Sequence, residues 1–193
     1  MIITLAEAKT YLGVSASDSD AVITSLLTAA QEAMEAHCCR NLEETSVTED
    51  LDGEGSQRLR TREPFQALTA LYLDSTRAFG AGTQIGNSNF HLARGRDGTA
   101  KVIEYLDSYF DDGQKNVRVV YQAGYTAATM PGNIALALKK QVGVLYSNWQ
   151  RAKQAKDILS SETVDGWTQT WIDKQGLDDE VKELLKPYEN WGL

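Results

Sequence analysis

The sequence predicts an α+β fold in which helices from both chain ends form a body that carries an inserted antiparallel β unit. Apolar residues recur at helical spacing near each end, whereas the middle holds short alternating runs separated by Gly, Asp and Asn. We expect a helical hairpin over residues 1–44, a β-rich insertion over 45–125, and a C-terminal part over 126–193. The first and last parts are expected to pack as one body.

The first helix is expected to run from Thr4 to Leu12. Thr4 and Glu7 have the spacing of a capping box, and Gly13 supplies a stop. A second helix follows a polar link in which Ser17 and Asp18 are candidate caps. It is expected to end near Arg40, with Asn41 suited to a left-handed cap.

The β-rich insertion contains the runs RLR, ALTALYLD, FHLA, KVIEYLD and NVRVVYQ, which predict five or six strands. Asp97–Gly98 and Asp112–Gly113 are typical of hairpin turns. The segment Ser75–Asn89 holds three glycines and is expected to be a contact or lid loop outside the core.

The C-terminal part is expected to begin with a long helix from Pro131 to about Lys156, because the fixed φ of proline suits a first helical position. Gly143 inside it costs about 1 kcal/mol relative to Ala, which indicates a close approach by a neighbouring helix or subunit. The segment SSETVDGWTQTW is expected to be irregular or to form short strands, and Asp178 is expected to cap a short last helix.

Composition indicates an ordinary globular protein, with 42% apolar and 24% charged residues among 193. No apolar run is long enough for a transmembrane helix, so no membrane partner is expected. The two cysteines, Cys38 and Cys39, are adjacent, which excludes a disulfide framework and favours a reducing cytoplasm.

The net charge of −8 is unevenly distributed along the chain. Residues 1–63 carry twelve acids and five bases, whereas residues 126–156 carry five bases and no acid. This asymmetry predicts surfaces of opposite sign, which favour head-to-tail contacts between copies. A chain this acidic is a poor candidate for wrapping DNA, but it suits a channel wall past which DNA slides.

Candidate catalytic and metal sites are weak. His37, Cys38 and Cys39 are consecutive, so their side chains point in different directions and cannot converge on one ion unaided. The other histidine is His91. An enzyme that uses these residues with a metal or a thiolate remains an alternative, and no cofactor is expected.

Two other patterns resemble ligand sites without fulfilling them. The carboxylates of Asp50, Asp52 and Glu54 suggest a calcium loop, but its twelfth position is Thr61 instead of a bidentate Glu. Arg94 and Arg96 are candidate phosphate contacts, with a solvated hairpin tip as the plainer interpretation.

The basic face of the long helix is the remaining polar feature, and it allows a DNA-binding module as a further alternative. Three tryptophans in short or irregular segments are either core or interface residues, namely Trp167, Trp171 and Trp191.

Two segments, TLAEAKTYLGV and VVYQAGYTAATMPGNIALALKKQVGVLYSNW, together with CCRNL, SSETVDGW and LLKPY, resemble in order and spacing the head–tail connector family of tailed bacteriophages, also called adaptor or head completion proteins. The likeness covers roughly half of the residues. It implies a non-enzymatic virion protein of the neck, assembled in the host cytoplasm. It also implies a ring, with twelve copies as the expected number, that docks below the portal protein, extends the DNA channel without sequence specificity and receives a downstream neck or tail protein.

The resemblance also implies two contact surfaces. For portal binding we predict Leu185, Tyr188, Trp191 and Leu193. For the ring interface we predict Lys139, Lys140, Tyr146, Trp149 and Arg151.

Overall fold

The computed structural model of the chain describes residues 1–95, 97–154, 161–164, 167–170 and 176–190. Its helices are α1 (Leu5–Leu12), α2 (Asp20–Cys38), α3 (Gly132–Gln154) and α4 (Asp179–Leu185). Its strands are β1 (Thr45–Gly53), β2 (Arg58–Leu73), β3 (Gln84–Ile85), β4 (Phe90–Arg94), β5 (Ala100–Tyr105), β6 (Gly113–Ala123), β7 (Ser161–Val164) and β8 (Trp167–Thr170). Helices at both ends and an antiparallel sheet in the middle confirm the predicted α+β class.

Contacts within the chain define two compact units. The helical unit contains residues 1–38 and 130–189, and therefore α1 to α4. The sheet unit contains residues 39–129 together with Asn190. None of the helices in the described ranges is long and apolar enough to cross a bilayer.

Helix α1 begins and ends as its sequence predicts. The Glu7 backbone N–H donates to Thr4 Oγ1 at 3.2 Å, and the Thr4 N–H donates to the Glu7 carboxylate at 2.8 Å. These bonds form a capping box, and the backbone N–H of Thr4 is the chief cause that lowers the pKa of the Glu7 carboxyl group. Gly13 ends the helix with a left-handed φ of 68°.

Helix α2 corrects two predictions about its ends. It begins at Asp20, and the Ile23 N–H donates to the Ser19 carbonyl, so the predicted caps Ser17 and Asp18 lie before the helix. At the other end Cys39, with φ 51°, takes the left-handed conformation predicted for Asn41. Asn41 instead donates from both its backbone N–H and its side-chain amide to the Glu63 carboxylate, each at 2.8 Å.

The core of the helical unit is built from one apolar stripe on each helix. The stripes bury residues at i, i+3 and i+4 spacing, which is the pattern that made the helices recognisable. Fully or almost fully buried members are Ile23, Leu27, Ala30, Met34, Ile134, Leu138, Val142, Val181 and Leu185. Burying a side chain of leucine size contributes about 1.5–3 kcal/mol, so these stripes hold the unit together.

The sheet of the sheet unit is antiparallel, in the order β1-β6-β2-β5-β4, with β3 paired to β2. The runs predicted as separate strands, RLR and ALTALYLD, are joined through Pro64 into the single strand β2. Phe65, in the middle of β2, is in register with Ala123 of β6 and with Ala100 of β5. The first half of β2 therefore pairs with β5 and its second half with β6.

The predicted turns of the insertion differ in outcome. Asp97–Gly98 does turn the chain between the paired strands β4 and β5, with Gly98 at φ 78°. Asp112–Gly113 does not join a hairpin, because β5 and β6 are not neighbours in the sheet. The segment Ser75–Asn89 is not wholly outside the sheet, since β3 within it pairs with Leu71 and Tyr72 of β2.

The C-terminal part agrees with its predicted elements where the structure describes it. Helix α3 starts directly after Pro131, and β7 pairs antiparallel with β8 in the segment expected to be irregular or stranded. Asp178 caps α4 by accepting from the Glu180 N–H at 3.0 Å. The expected end of the long helix at Lys156, and Trp171, lie outside the described residues.

Candidate interaction surfaces

Helix α3 places the predicted ring residues in different environments. Lys139, Lys140 and Trp149 are half-buried, and Arg151 is exposed. Tyr146 is only 6% exposed and stacks on Trp149 with ring centroids 5.6 Å apart. Tyr146 therefore supports the surface from inside, whereas the other four residues reach solvent.

One polar residue that the sequence did not single out fixes α4 against α3. Gln141 is 2% exposed, yet its amide donates to the Gly176 carbonyl and accepts from the Asp178 N–H, both at 3.1 Å. On the surface, Lys140 forms an ion pair with Glu180 that raises the lysine pKa. In the sequence, the one sign of this role is that Gln141 is a polar residue on the apolar side of α3. That sign does not show which residues Gln141 contacts.

The surface of α3 carries a groove of about 740 Å³ within the helical unit. Its floor and walls include Leu12 at the end of α1, together with Gly143, Val144 and Ser147 of α3. A Cβ at Gly143 would lie 3.6 Å from the Tyr11 ring, so the predicted close approach is to α1. Lys140 and Arg151, two of the predicted ring residues, both line this groove.

The predicted portal residues divide between core, surface and the undescribed tail. Leu185 is fully buried, so it offers no area to a partner in this conformation. Tyr188 is half-buried in the short 3₁₀ turn Lys186–Tyr188 after α4. Trp191 and Leu193 lie outside the described residues.

A second exposed surface lies in the sheet unit, at the loop Leu106–Asp112 between β5 and β6. Leu106 and Tyr109 on this loop are 52% and 59% exposed. Phe110 between them and β6 is fully buried and packs against Tyr105, with centroids 5.5 Å apart. The sequence shows these residues but not their exposure, because an apolar side chain in a β-rich segment is normally expected inside.

Arg40 is expected near the C-terminal end of α2, but this helix ends at Cys38 and Arg40 belongs to the sheet unit. Its side chain is 3% exposed, lies over the Tyr125 ring at 5.3 Å and approaches Asp97 Oδ2 at 3.8 Å. Burial, reinforced by the Asp97 carboxylate, raises the pKa of Tyr125 to about 12. Arg94, a predicted phosphate contact, donates to the Gly98 carbonyl at 2.6 Å within its own hairpin, and Arg96 lies outside the described residues.

The residues of the enzyme alternative are dispersed or engaged elsewhere. Cys38 is buried, Cys39 is exposed, and His37 Nε2 lies 3.1 Å from Glu189 Oε1. Asp50 forms two bonds with Arg118, and Asp52 accepts from the Lys115 N–H at 2.7 Å, which are ordinary strand contacts. Among the residues that the structure describes, no group of three potential ligands could hold a metal ion.

Comparison with known protein families identifies the family of the chain. The model of the family described as head completion protein matches residues 1–191. The chain belongs to the head completion protein family. The resemblance inferred from the order of short segments is thereby confirmed, and it extends over nearly the whole chain.

Solved structures show the fold of this head completion protein in other particles. A chain in the neck of an empty gene transfer agent (GTA) particle, computed with C6 symmetry, is 18% identical and has a TM-score of 0.64. That match covers 100% of this chain and 91% of the other. A chain in the neck of the native GTA particle, computed with C12 symmetry, is also 18% identical, with a TM-score of 0.60 and coverage of 98% and 89%.

A chain from the virion of the native gene transfer agent particle has the same identity, 18%, and a TM-score of 0.61. The match covers 100% of this chain and 91% of the other. No curated protein matches the chain. At this identity the similarity establishes a common fold.

Proposed function

We propose that this head completion protein is a structural ring subunit that binds below the portal, extends the DNA channel and provides the platform for a downstream neck or tail protein. The match of the family model over residues 1–191 carries the proposal. The shared fold with chains from GTA particles supports it, because two of those chains belong to necks computed with C6 and C12 symmetry. Twelve copies is the number we propose for this chain.

A closed ring needs two different faces on each subunit that fit each other, because the same contact repeats by rotation. The groove of α3 supplies one such face, with Lys139, Lys140, Trp149 and Arg151 at or beside it. Tyr146 belongs to this surface as the buried ring that positions Trp149.

We place the portal contact at the end of the chain after α4. Tyr188 has accessible area there, and Trp191 and Leu193 follow in the sequence. Leu185 acts from inside, because its buried side chain holds α4 in the helical unit and thereby positions the segment that follows.

The role toward DNA that fits the charge is passive. The chain carries a net charge of −8, so its surface as a whole repels a polyanion. In the described residues, Lys140 is paired with Glu180, and Lys153 lies over the Trp149 ring at 5.1 Å. These contacts favour a channel subunit over a DNA-binding module, and a virion neck assembled in the host cytoplasm is the corresponding location.

The proposal is tested by electron microscopy of the protein mixed with its portal. Ring density below the portal clip is expected for the wild type, and it should be lost or strongly reduced for Tyr188→Ala. The matched control is Tyr72→Ala, which removes a tyrosine of β2 that is half-buried like Tyr188 and belongs to neither the portal nor the ring residues. Failure of the wild type to bind the portal at any concentration would contradict the proposal.

A further inference from the structure

In the described residues, four of the five exposed large apolar side chains lie on two separate surfaces. The large hydrophobic residues that are exposed in the described ranges are Met1, Tyr11, Leu106, Tyr109 and Leu136. Leu106 and Tyr109 belong to the sheet unit, whereas Tyr11 and Leu136 flank the grooves of α3 in the helical unit. Exposed apolar groups that cluster in this way mark interaction surfaces more often than scattered ones do.

The first surface, which we name the acidic tip, consists of the turn Asp52–Ser56 and the loop Leu106–Asp112. Hydrogen bonds join its two segments: the Phe110 N–H donates to the Ser56 carbonyl at 2.8 Å, and the Gly55 N–H donates to the Phe110 carbonyl at 2.9 Å. Its exposed carboxylates are Asp52, Glu54, Asp107, Asp111 and Asp112. Arg58 and Lys115 are the nearest bases in the sequence, and Arg58 is paired with Glu104.

The acidic tip is rigid before any partner binds. The Asn116 side chain donates to the Asp111 carbonyl and accepts from the Gly53 N–H, each at 2.8 Å. Gly53 allows the two segments to approach so closely that a Cβ there would lie 1.9 Å from the Asp111 carbonyl oxygen. A surface that is already ordered loses little conformational entropy on binding, so Leu106 and Tyr109 are presented as fixed apolar anchors.

The second surface, which we name the α3 face, consists of Leu136, Lys140, Gly143, Ser147 and Arg151. Their spacing of three or four residues puts them on one side of the helix, over a length of about 22 Å. The sequence of α3 contains four bases and no acid. Lys139 and Tyr11 line a recess beside this face.

The α3 face is concave where the acidic tip projects side chains. Its groove of about 740 Å³ has Gly143 and Ser147 in its lining, and these small residues leave room for a large side chain. Four carboxylates line its α4 side, and each is already engaged. Asp178 caps α4, and Glu180 pairs with Lys140. Asp179 pairs with Lys182 and Glu183 with Lys186. The α3 face can therefore receive an additional acidic partner.

We propose that the acidic tip of one copy docks on the α3 face of a second copy, with Tyr109 in the groove and the tip carboxylates near Lys139 and Arg151. Complementary charge carries the choice of partner: five exposed carboxylates stand on the acidic tip, whereas Lys140 and Arg151 stand on the α3 face with Lys139 beside it. The two surfaces are different, so each copy uses its tip toward one neighbour and its α3 face toward the next, as a ring requires. The proposal rests on the proposed ring function and names the contact within it.

The test exchanges the charges of the two surfaces. The tip variant is Asp107→Lys with Asp112→Lys, and the face variant is Lys139→Glu with Arg151→Glu. Each variant alone places like charges opposite each other. The protein concentration needed for ring assembly on the portal should therefore rise by more than about tenfold. A 1:1 mixture should restore rings of alternating variants, because each reversed surface then meets its reversed partner.

Controls separate this contact from folding and from net charge. Circular dichroism and urea unfolding verify that both variants fold. A control with Asp18→Lys and Glu32→Lys has the same charge change as the tip variant, at exposed positions away from both surfaces, and it should assemble like the wild type.

The outcomes distinguish the contact from the ring function. Rings formed by either variant alone, or a mixture that stays unassembled, would overturn the proposed contact. The ring function would still stand if the wild type forms rings. Absence of rings from the wild type itself would overturn both.

Discussion

Glu49 and Tyr121 show how the sheet unit accommodates polar groups inside. Glu49 is 7% exposed, and Tyr121 is fully buried. The Tyr121 hydroxyl donates to Glu49 Oε1 at 2.6 Å, and the Arg62 N–H donates to Oε2 at 3.2 Å. Burial and the adjacent carboxylate raise the pKa of Tyr121 above its usual range, so the hydroxyl keeps its proton. A buried carboxylate is tolerated because both of its oxygens have donors.

Removing one donor should expose this dependence. Tyr121→Phe deletes the hydroxyl and leaves Glu49 Oε1 without that bond, so we expect a loss of about 1–3 kcal/mol in the free energy of unfolding. Urea unfolding measures it. Tyr109→Phe makes the same change at a side chain that is 59% exposed and should shift stability by less than about 0.5 kcal/mol. Equal effects of the two changes would contradict the role assigned to the buried bond.

At the scale of elements, tight joins between strands depend on glycine. Gly124 follows β6 with φ 74°, and a Cβ there would lie 2.2 Å from the Glu43 carbonyl oxygen. This approach allows the bridge between Glu43 and Tyr125 that extends the sheet beyond β1 and β6. Gly13, at the end of α1, has a similar φ of 68° but nothing within 4 Å of a Cβ.

The two glycines form a matched pair for substitution. Gly13→Ala should cost about 1–2 kcal/mol, the usual penalty for a left-handed alanine. Gly124→Ala carries the same penalty plus a backbone clash, so it should destabilise the protein by clearly more. Chemical unfolding monitored by circular dichroism compares them. If the two variants were equally stable, the close approach at Gly124 would have no energetic importance.

Pairing between β1 and β6 adds a pH-dependent contribution. Asp50 and Arg118 are directly opposite in the two strands and share two hydrogen bonds of 2.7 and 2.8 Å. The guanidinium lowers the pKa of Asp50, chiefly through these hydrogen bonds. A lowered pKa in the folded state stabilises the protein above the usual aspartate pKa, and this contribution is lost as the pH falls through the folded-state value.

We therefore expect Asp50→Asn to be less stable than the wild type at neutral pH. Both partners are about a third exposed, so the difference should be only about 0.2–1 kcal/mol. It should begin to shrink as the pH falls below about 4, the usual aspartate pKa, and disappear as the pH falls through the lowered pKa of the folded state. Thermal unfolding at several pH values measures this, with Asp107→Asn as the exposed control. A difference that is constant with pH would refute the assignment.

At the scale of the whole molecule, charge is unevenly distributed among the elements. The described part of α3 carries bases without an acid, and the acidic tip carries five carboxylates. Charges at the rim of an interface mainly accelerate association and select the partner, whereas apolar anchors at its centre supply most of the affinity. The proposed contact between copies combines both.

Ring assembly should accordingly respond to salt. Raising the salt concentration from about 50 mM to about 500 mM shortens the screening length severalfold, so the rate of assembly on the portal should fall. The Tyr109→Ala variant should assemble less even at low salt, because it removes the apolar anchor without changing charge. Light scattering follows both effects. A salt-independent rate would contradict the electrostatic part of the proposal.

Local chemistry alone determined several helix ends and one hairpin turn of this protein. The capping box of α1, the stop at Gly13, the cap at Asp178 and the Asp97–Gly98 turn depend on neighbouring residues, so the sequence predicts them directly. The order of these segments also sufficed to predict the family.

Only the tertiary structure decided the features that depend on contacts between distant segments, namely which strands are neighbours and which side chains are exposed. Because β6 inserts between β1 and β2, the Asp112–Gly113 dipeptide ends a loop instead of forming a hairpin turn. Likewise, Leu185 is buried while Tyr109 is exposed, although both are apolar residues in plausible core patterns. Which side chains reach solvent depends on what packs over them from distant parts of the chain, and no local pattern contains that information.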